Sequence, residues 1–299
     1  MTKLSLIIPF YNEEESLPVL LPKAISVLDS FSGYTFELIP VDDGSSDGTG
    51  RLLDKFSACD GRIKPLHLKR NMGHQYAISA GLDLSTGDAA ITMDGDGQHP
   101  AEVLKEMIRF WLDHPDIEVV QAVRKGNQAV FFKNLCSRLY YLVMRFLFPF
   151  GVLVSGASDF RVLSAVALRR ILDIPGRYRN LRLVLAGLRL QTHFIEYTVA
   201  ERIAGESRYS FLKMLNLACD GLYAYSIMPL IRMAGLILFF LFIFAVLTLV
   251  RFYGIQTKAV SILLIVSQGV VLCVTLALVS VVVWALSRKM SANSAIRHD

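Results

Sequence analysis

Two acids one residue apart, Asp94 and Asp96, stand in the stretch Met93-Asp94-Gly95-Asp96-Gly97-Gln98-His99-Pro100. Carboxylates at that spacing, with glycines between and after them, let both side chains approach a hard divalent cation while positions stay free for phosphate oxygens. A plain glycine–aspartate turn has the same composition, so the neighbourhood must decide. The apolar run Ala89 to Met93 before the acids reads as a buried strand, and a helical pattern begins after Pro100. The acids therefore fall at the C-terminal end of a strand, the edge at which open α/β sheets bind ligands.

The elements that must position them alternate in type. Strands are expected over Leu4 to Pro9, Phe36 to Val41, Ile63 to Leu68, Ala89 to Asp94 and Ile117 to Val123, and helices over Glu14 to Ser30, Thr49 to Ala58, His74 to Leu84 and Ala101 to His114. That alternation implies an α/β fold with a mostly parallel sheet flanked by helices. Three strand ends then carry polar groups toward one edge: Pro9 to Glu13, Val41 to Ser45, and Asp94 to Asp96. A further acid, Asp159, follows Ser155-Gly156-Ala157-Ser158; it is open to a role at the site, to capping a helix that starts near Ser164, or to pairing with Arg161.

Several chemistries lose their support. The first strand does not lead into G-x-G-x-x-G, and no G-x-x-x-x-G-K-[ST] occurs, which argues against dinucleotide oxidoreductases and P-loop NTPases. Asp43-Gly44-Ser45-Ser46-Asp47-Gly48 mimics a calcium loop, but Arg51 occupies a liganding position and Asp54 stands where a bidentate Glu belongs. Cys59, Cys136, Cys219 and Cys273 have neither metal-ligand nor disulfide spacing. The six histidines are equally scattered, and His74 and His99 are read as shaping their loops.

Hydropathy divides the 299 residues unevenly. Up to about residue 210 apolar and charged residues are interspersed; beyond it, Met233 to Val250 and Ala259 to Leu286 give 18 and 28 residues without a charge. These are expected to form a transmembrane hairpin with spans at about 230–250 and 259–286. Residues 130–150, where Lys133, Arg138 and Arg145 interrupt aromatic and aliphatic bulk, suit a helix in the headgroup region or a core helix; 211–228 suits a juxtamembrane helix. Leu4 to Phe10 is too short for a secretory leader, so residues 1–210 are expected in the cytosol, on the inner face of a multi-pass membrane protein. The formal charge of +5 suits a chain that lies on anionic lipid or handles phosphates.

Pro9 to Glu13, Val41 to Ser45 with Asp47-Gly48-Thr49, Lys69 to Gln75, Asp94 to Pro100, Val123-Arg124, Asp159-Phe160-Arg161 and Arg202 through Tyr209 together resemble the family 2 glycosyltransferases of GT-A fold. The likeness is to their polyprenyl-phosphate branch, similar to dolichyl-phosphate mannose synthases and bacterial undecaprenyl-phosphate glucosyltransferases. It implies a metal-dependent, inverting transfer of one sugar, a hexose expected to be glucose from UDP-glucose, to polyprenyl phosphate at the cytosolic membrane face. By the same resemblance Pro9, Tyr11, Glu13, Asp42, Asp43, Asp94 and Arg124 would bind the UDP- or GDP-linked donor. Asp94, Asp96 and Gln98 would hold Mg2+ or Mn2+, and Asp96 and Asp159 would be the catalytic acids. Lys133 and Ser137, four apart on a helical face, with Arg202 and Arg208, would take the acceptor phosphate. The partners implied are the nucleotide sugar, polyprenyl phosphate, the lipid bilayer and further copies of the chain, a tetramer by resemblance, with no nucleic acid. A processive polysaccharide synthase lacks its Q-x-x-R-W signature here, and a non-catalytic nucleotide-sugar binder or flippase partner would not need Asp94, Asp96 and Arg124. Gly97 departs from the resemblance, since relatives carry a bulkier apolar residue there.

Overall fold

The computed structural model describes residues 2–125, 154, 156–174 and 179–200, and parts of two helical stretches at 235–249 and 262–276. The chain divides into two compact units, Met1–Arg145 with Phe150–Arg208, and Phe146–Pro149 with Tyr209–Asp299.

The first unit is built on β1 (Lys3–Phe10), α1 (Leu17–Asp29), β2 (Thr35–Asp42), α2 (Thr49–Cys59), β3 (Leu66–His67), α3 (His74–Leu84), β4 (Ala89–Thr92), α4 (Ala101–Asp113), β5 (Val119–Arg124), β6 (Ala157–Ser164), α5 (Ala165–Leu172), α6 (Leu181–Leu188) and β7 (Thr192–Tyr197). The seven strands form one sheet in the order β3-β2-β1-β4-β6-β5-β7. β2, β4 and β3 join by parallel ladders around β1 and β2, and β7 runs parallel to β5. Among the described strands only β6 is reversed, antiparallel to both β4 and β5. The sheet is therefore mixed, and β6, α6 and β7 are elements that the sequence pattern did not announce. Near the expected third strand, only Leu66–His67 forms a regular ladder, and Ile63 makes a single bridge to Leu38.

Both faces are covered, which explains why β1, β2 and β4 are buried almost throughout. Leu4, Leu6, Ile8 and Phe10 point to one side and pack with Leu17, Leu21, Leu53, Leu104 and Ile108 from α1, α2 and α4. Ile7 points to the other and meets α3, so closely that a Cβ at Gly81 would lie 2.5 Å from it. Each fully buried Leu or Ile of this core contributes about 1.5–3 kcal/mol of transfer free energy. α5 begins at Ser164, whose hydroxyl accepts the Ala167 N–H at 3.2 Å.

Two consequences of this topology matter for chemistry. The chain moves outward from β1 to β2 and β3, then returns to place β4 on the other side of β1, so a topological switch point lies between β1 and β4. Because β6 runs against its neighbours, its beginning, Ser158 and Asp159, reaches the same sheet edge as the ends of β4 and β5.

In the second unit the described positions are helical, and Leu238, Phe242, Ile262 and Ile265 are exposed. Among the described residues no helix is long and apolar enough to cross a membrane. Much of the two expected spans, and all of 130–150 and 211–228, lie outside the described residues.

Candidate active site

The switch point is assembled by loops that grip one another. Asn12, just beyond β1, adopts a left-handed conformation (φ 54°). It donates its N–H to Ser45 Oγ (3.0 Å) and accepts the Ser46 N–H on Oδ1 (2.8 Å), tying the loop after β1 to the loop after β2. On the β4 side, Ser16 Oγ donates to the Gly95 carbonyl (3.0 Å) and lies 2.6 Å from Glu13 Oε2. A Cβ on Gly95 would stand 2.6 Å from the Pro9 carbonyl oxygen and from Phe10, so only glycine lets the acid loop come this close to β1.

Asp42 and Asp43, at the end of β2, are both buried. Asp42 accepts the Ser45 N–H on one oxygen (2.9 Å) and faces His67 Nδ1 with the other (3.3 Å). Asp43 accepts the N–H groups of Met72 (2.7 Å) and Gly73 (2.9 Å). Burial raises its pKa, and these two donors partly oppose the rise. Asp43 thus shapes the turn that delivers His74 at the start of α3. Tyr11 is exposed beside these loops, where a ring can stack on a planar ligand.

The centre of the edge is a compact cluster of opposite charges. Asp94 Oδ1 lies 3.1 Å from His74 Nε2 and has no well-directed hydrogen bond among the described residues, although it is buried. Asp94 Oδ2 lies 3.4 Å from His99 Nε2 and 3.7 Å from an Arg124 Nη. Arg124 in turn donates from Nε to the Tyr197 hydroxyl (3.2 Å). Across from Asp94, Asp159 accepts from Arg161 at Oδ1 (2.8 Å) and from Gln75 Nε2 at Oδ2 (2.8 Å), with Arg182 at 3.5 Å and His74 Nε2 at 3.4 Å.

Desolvation favours neutral acids here, but the cations win. Arg182, His74 and Arg161 hold Asp159 well below the usual carboxylate range against its burial. Asp94 is likewise held at about 2 against its burial, with the charged His74 beside its Oδ1. His74 is raised to about 10, because Asp159 and Asp94 outweigh the desolvation that would neutralise it. His74, Asp94 and Asp159 each offer one atom within 4.8 Å of the others, a nitrogen and oxygen set that suits a small divalent cation. The poorly partnered Asp94 Oδ1 fits that use, and a cation bound there would displace the His74 proton.

The structure thus brings Asp94, Asp159 and Arg124 together, with Pro9, Tyr11, Glu13, Asp42 and Asp43 on the adjoining strand ends and loops of the same edge. Asp96 belongs to the same loop as Asp94 but not to the three-residue cluster; its Oδ1 accepts the Gln98 N–H (3.0 Å). Gln98 accepts the Ala200 N–H on its carbonyl (3.2 Å), linking the acid loop to the exit of β7. Lys133, Ser137, Arg202 and Arg208 lie outside the described residues. Of the three readings of Asp159, pairing with Arg161 is present together with a place at the site, while the cap of α5 is Ser164.

Gln75, Arg161, Arg182 and Tyr197 were not singled out by sequence reasoning. Gln75 and Arg161 lie inside the motifs Lys69 to Gln75 and Asp159-Phe160-Arg161, and Arg161 is also a candidate partner of Asp159, but the sequence assigns neither a place at the site. Arg182 stands in Arg179-Asn180-Leu181-Arg182, which only approximates the segment the resemblance leads one to expect, and Tyr197 gives no signal because β7 is not foreseen from the sequence.

The profile of Glycosyl transferase family 2 matches residues 5–172. The chain is 31% identical over 228 residues to the prophage bactoprenol glucosyl transferase homolog of Escherichia coli (strain K12), covering 76% of this chain and 74% of that one. It is 32% identical over 283 residues to the uncharacterized glycosyltransferase YkcC of Bacillus subtilis (strain 168), covering 90% and 85%. Its fold is similar to glucosyl-3-phosphoglycerate synthase of Mycobacterium tuberculosis, solved with Mn2+, UDP-glucose and phosphoglyceric acid: TM-score 0.54, 16% identity, 76% of this chain and 80% of that one.

Proposed function

The chain belongs to glycosyl transferase family 2 and is a glycosyltransferase, and from that premise we propose that it carries a hexose, with UDP-glucose as donor, onto undecaprenyl or another polyprenyl phosphate with inversion at the sugar carbon. The observation that carries the reading is the convergence of Asp94, Asp159, His74 and Arg124 on one sheet edge at the switch point. The acceptor class is supported by relatives described as bactoprenol glucosyl transferases, among them that of Shigella phage SfX, 31% identical over 228 residues.

The chemistry asks the protein for positive charge more than for a base. A sugar leaving a nucleoside diphosphate deposits charge on the diphosphate, and preorganised cations are the efficient answer. Arg124 and Arg182, each about two-fifths exposed at 39% and 42%, can meet a ligand while anchored beside Asp94 and Asp159. A phosphate acceptor is already anionic at neutral pH and needs no strong base. Asp159, held far into its ionised form, would be a poor one. Its role in this reading is to orient His74 and Arg182. Asp94 would hold Mg2+ or Mn2+ either with His74 and Asp159 or with Asp96 and Gln98; such a cation supplies electrostatic neutralisation of the diphosphate.

On the acceptor side, Lys133, Ser137, Arg202 and Arg208 would take the lipid phosphate. The apolar stretches 230–250 and 259–286 would hold the protein at the cytosolic face of the inner membrane as a hairpin, in a tetramer. The test is incubation of the purified full chain with labelled UDP-glucose, Mg2+ or Mn2+, and undecaprenyl phosphate. Label should enter the organic phase, and Asp94→Asn and Asp96→Asn should each abolish most of it. No lipid-linked sugar from any UDP- or GDP-linked donor, under conditions in which a related enzyme works, rejects the proposal. Undiminished turnover in Asp96→Asn rejects the role given to that acid.

A further inference from the structure

We infer that His99 is a positioning residue: its imidazole brackets Asp94 from two sides and sets the direction of its carboxylate toward the donor and cation. The inference deepens the function proposed above and rests on it.

The argument begins with a backbone proton. The Asp94 N–H donates to His99 Nδ1 at 3.1 Å, so that nitrogen presents a lone pair. A charged ring would put an N–H there and clash with the donor. The remaining proton of a neutral ring must then sit on Nε2, which lies 3.4 Å from Asp94 Oδ2 and has no well-directed hydrogen bond among the described residues. One imidazole therefore touches both the main chain and the side chain of a single residue. Neither end can swing away, because the side chain of His99 is 0% exposed. Its ring is stacked on Phe160 of β6, centroids 4.5 Å apart and planes 7° from parallel, and is met edge-on by Tyr197 of β7 at 5.7 Å.

The consequence is that Asp94 is oriented by a part of the sheet distant in sequence. Its carboxylate keeps Oδ1 toward His74 and Oδ2 toward Arg124. Supporting groups of this kind fix the rotamer of a cation-binding side chain, and losing one typically weakens metal affinity by about 10–100-fold.

The test compares the full chain with His99→Phe, which retains a stacked ring but neither nitrogen, and His99→Asn, whose amide oxygen can still accept the Asp94 N–H. Free Mn2+ is followed by electron paramagnetic resonance during titration with Mn2+ alone and with Mn2+ plus UDP, alongside thermal unfolding. His99→Phe should unfold near the temperature of the parent chain yet bind Mn2+ about 10-fold or more weakly, with His99→Asn in between. Nitrogen-15 spectra of histidine-labelled parent chain should show one ring in the Nε2–H tautomer. A folded His99→Phe whose Mn2+ affinity stays within about twofold of the parent overturns the inference, since the tenfold loss expected from a lost support is then absent. If His99→Phe does not fold, parent-like Mn2+ affinity in His99→Asn overturns it, as does assignment of the His99 ring as charged or Nδ1–H. Failure of the parent chain to bind Mn2+ under either condition overturns the cation-binding reading instead, and the tautomer still decides what His99 does to Asp94.

Discussion

Replacing Arg161 with methionine tests whether charge pairing or packing holds the site together. Arg161 is among the largest fully buried side chains. One Nη donates to Asp159 Oδ1 at 2.8 Å and to the Ser158 carbonyl at 2.7 Å, whereas Nε and the other Nη have no hydrogen-bond partner among the described residues. Removing one member of a buried ion pair costs about 3–5 kcal/mol. Two effects reduce that figure. Gln75, His74 and Arg182 still face Asp159, and the substitution removes two unsatisfied donors, each of which costs about 1–3 kcal/mol. A net destabilisation of about 1–3 kcal/mol is therefore expected for Arg161→Met, or several degrees in Tm at about 2–4 °C per kcal/mol. The decisive step is to repeat the change in an Asp159→Asn background. There the guanidinium is a buried charge without its carboxylate, with Arg182 nearby to repel it. Arg161→Met should then become neutral or stabilising, an interaction energy of about 2 kcal/mol or more. Thermal and urea unfolding of the four proteins measures this directly. Equal costs in the two backgrounds would show that Arg161 contributes through volume alone and would refute the charge argument.

Three further outcomes follow from named contacts. Glu37, on β2 at the sheet edge away from the site, is buried; Lys3, Lys64, Ser5 and the Thr86 N–H overcome that burial and depress its pKa. A depressed carboxylate stabilises the fold fully above its unfolded pKa, about 4.3, and loses that contribution as pH falls below it; Glu37→Gln should flatten the acid limb of a Tm-against-pH curve, and an unchanged limb removes Glu37 as its cause. Gly95→Ala should cost about 1–3 kcal/mol and most of the transfer activity, because its Cβ would enter the space of the Pro9 carbonyl; full activity in a folded variant would mean that the acid loop tolerates another position. Tyr197→Phe removes only the acceptor of the Arg124 Nε proton; unfolding should shift by about 1 kcal/mol or less, while kcat/KM for the donor falls several-fold, and an unaltered kcat/KM argues against Arg124 as a phosphate contact.

The local chemistry of β1, α1, β2, α3, β4 and α4 was legible because each has a clear apolar pattern bounded by a turn or a proline. The Asp94 loop was legible for the same reason, since a strand's end can be read from its own residues. β6 could not be read that way. Ala157 to Ser164 carries Asp159 and Arg161 within a strand buried along nearly its whole length, a composition that suggests a loop until each charge is seen to satisfy the other. β7 is an edge strand with only Ile195 and Tyr197 turned inward, too short a pattern to stand out. Yet these two strands supply what distinguishes the site. The reversal of β6 brings Asp159 opposite Asp94, and β7 brings the Tyr197 hydroxyl to Arg124. Local periodicity can show which residues end a strand, but the meeting of two acids across the sheet depends on strand direction. Direction is decided by pairing between segments about 70 residues apart, Thr92 against Arg161 among them. The same pairing lets Thr92 Oγ1 donate to the Asp159 carbonyl at 2.6 Å. A residue with no chemistry of its own therefore fixes the distance between the two acids, and removing its hydroxyl in Thr92→Val should loosen Asp159 while leaving the Asp94 loop in place.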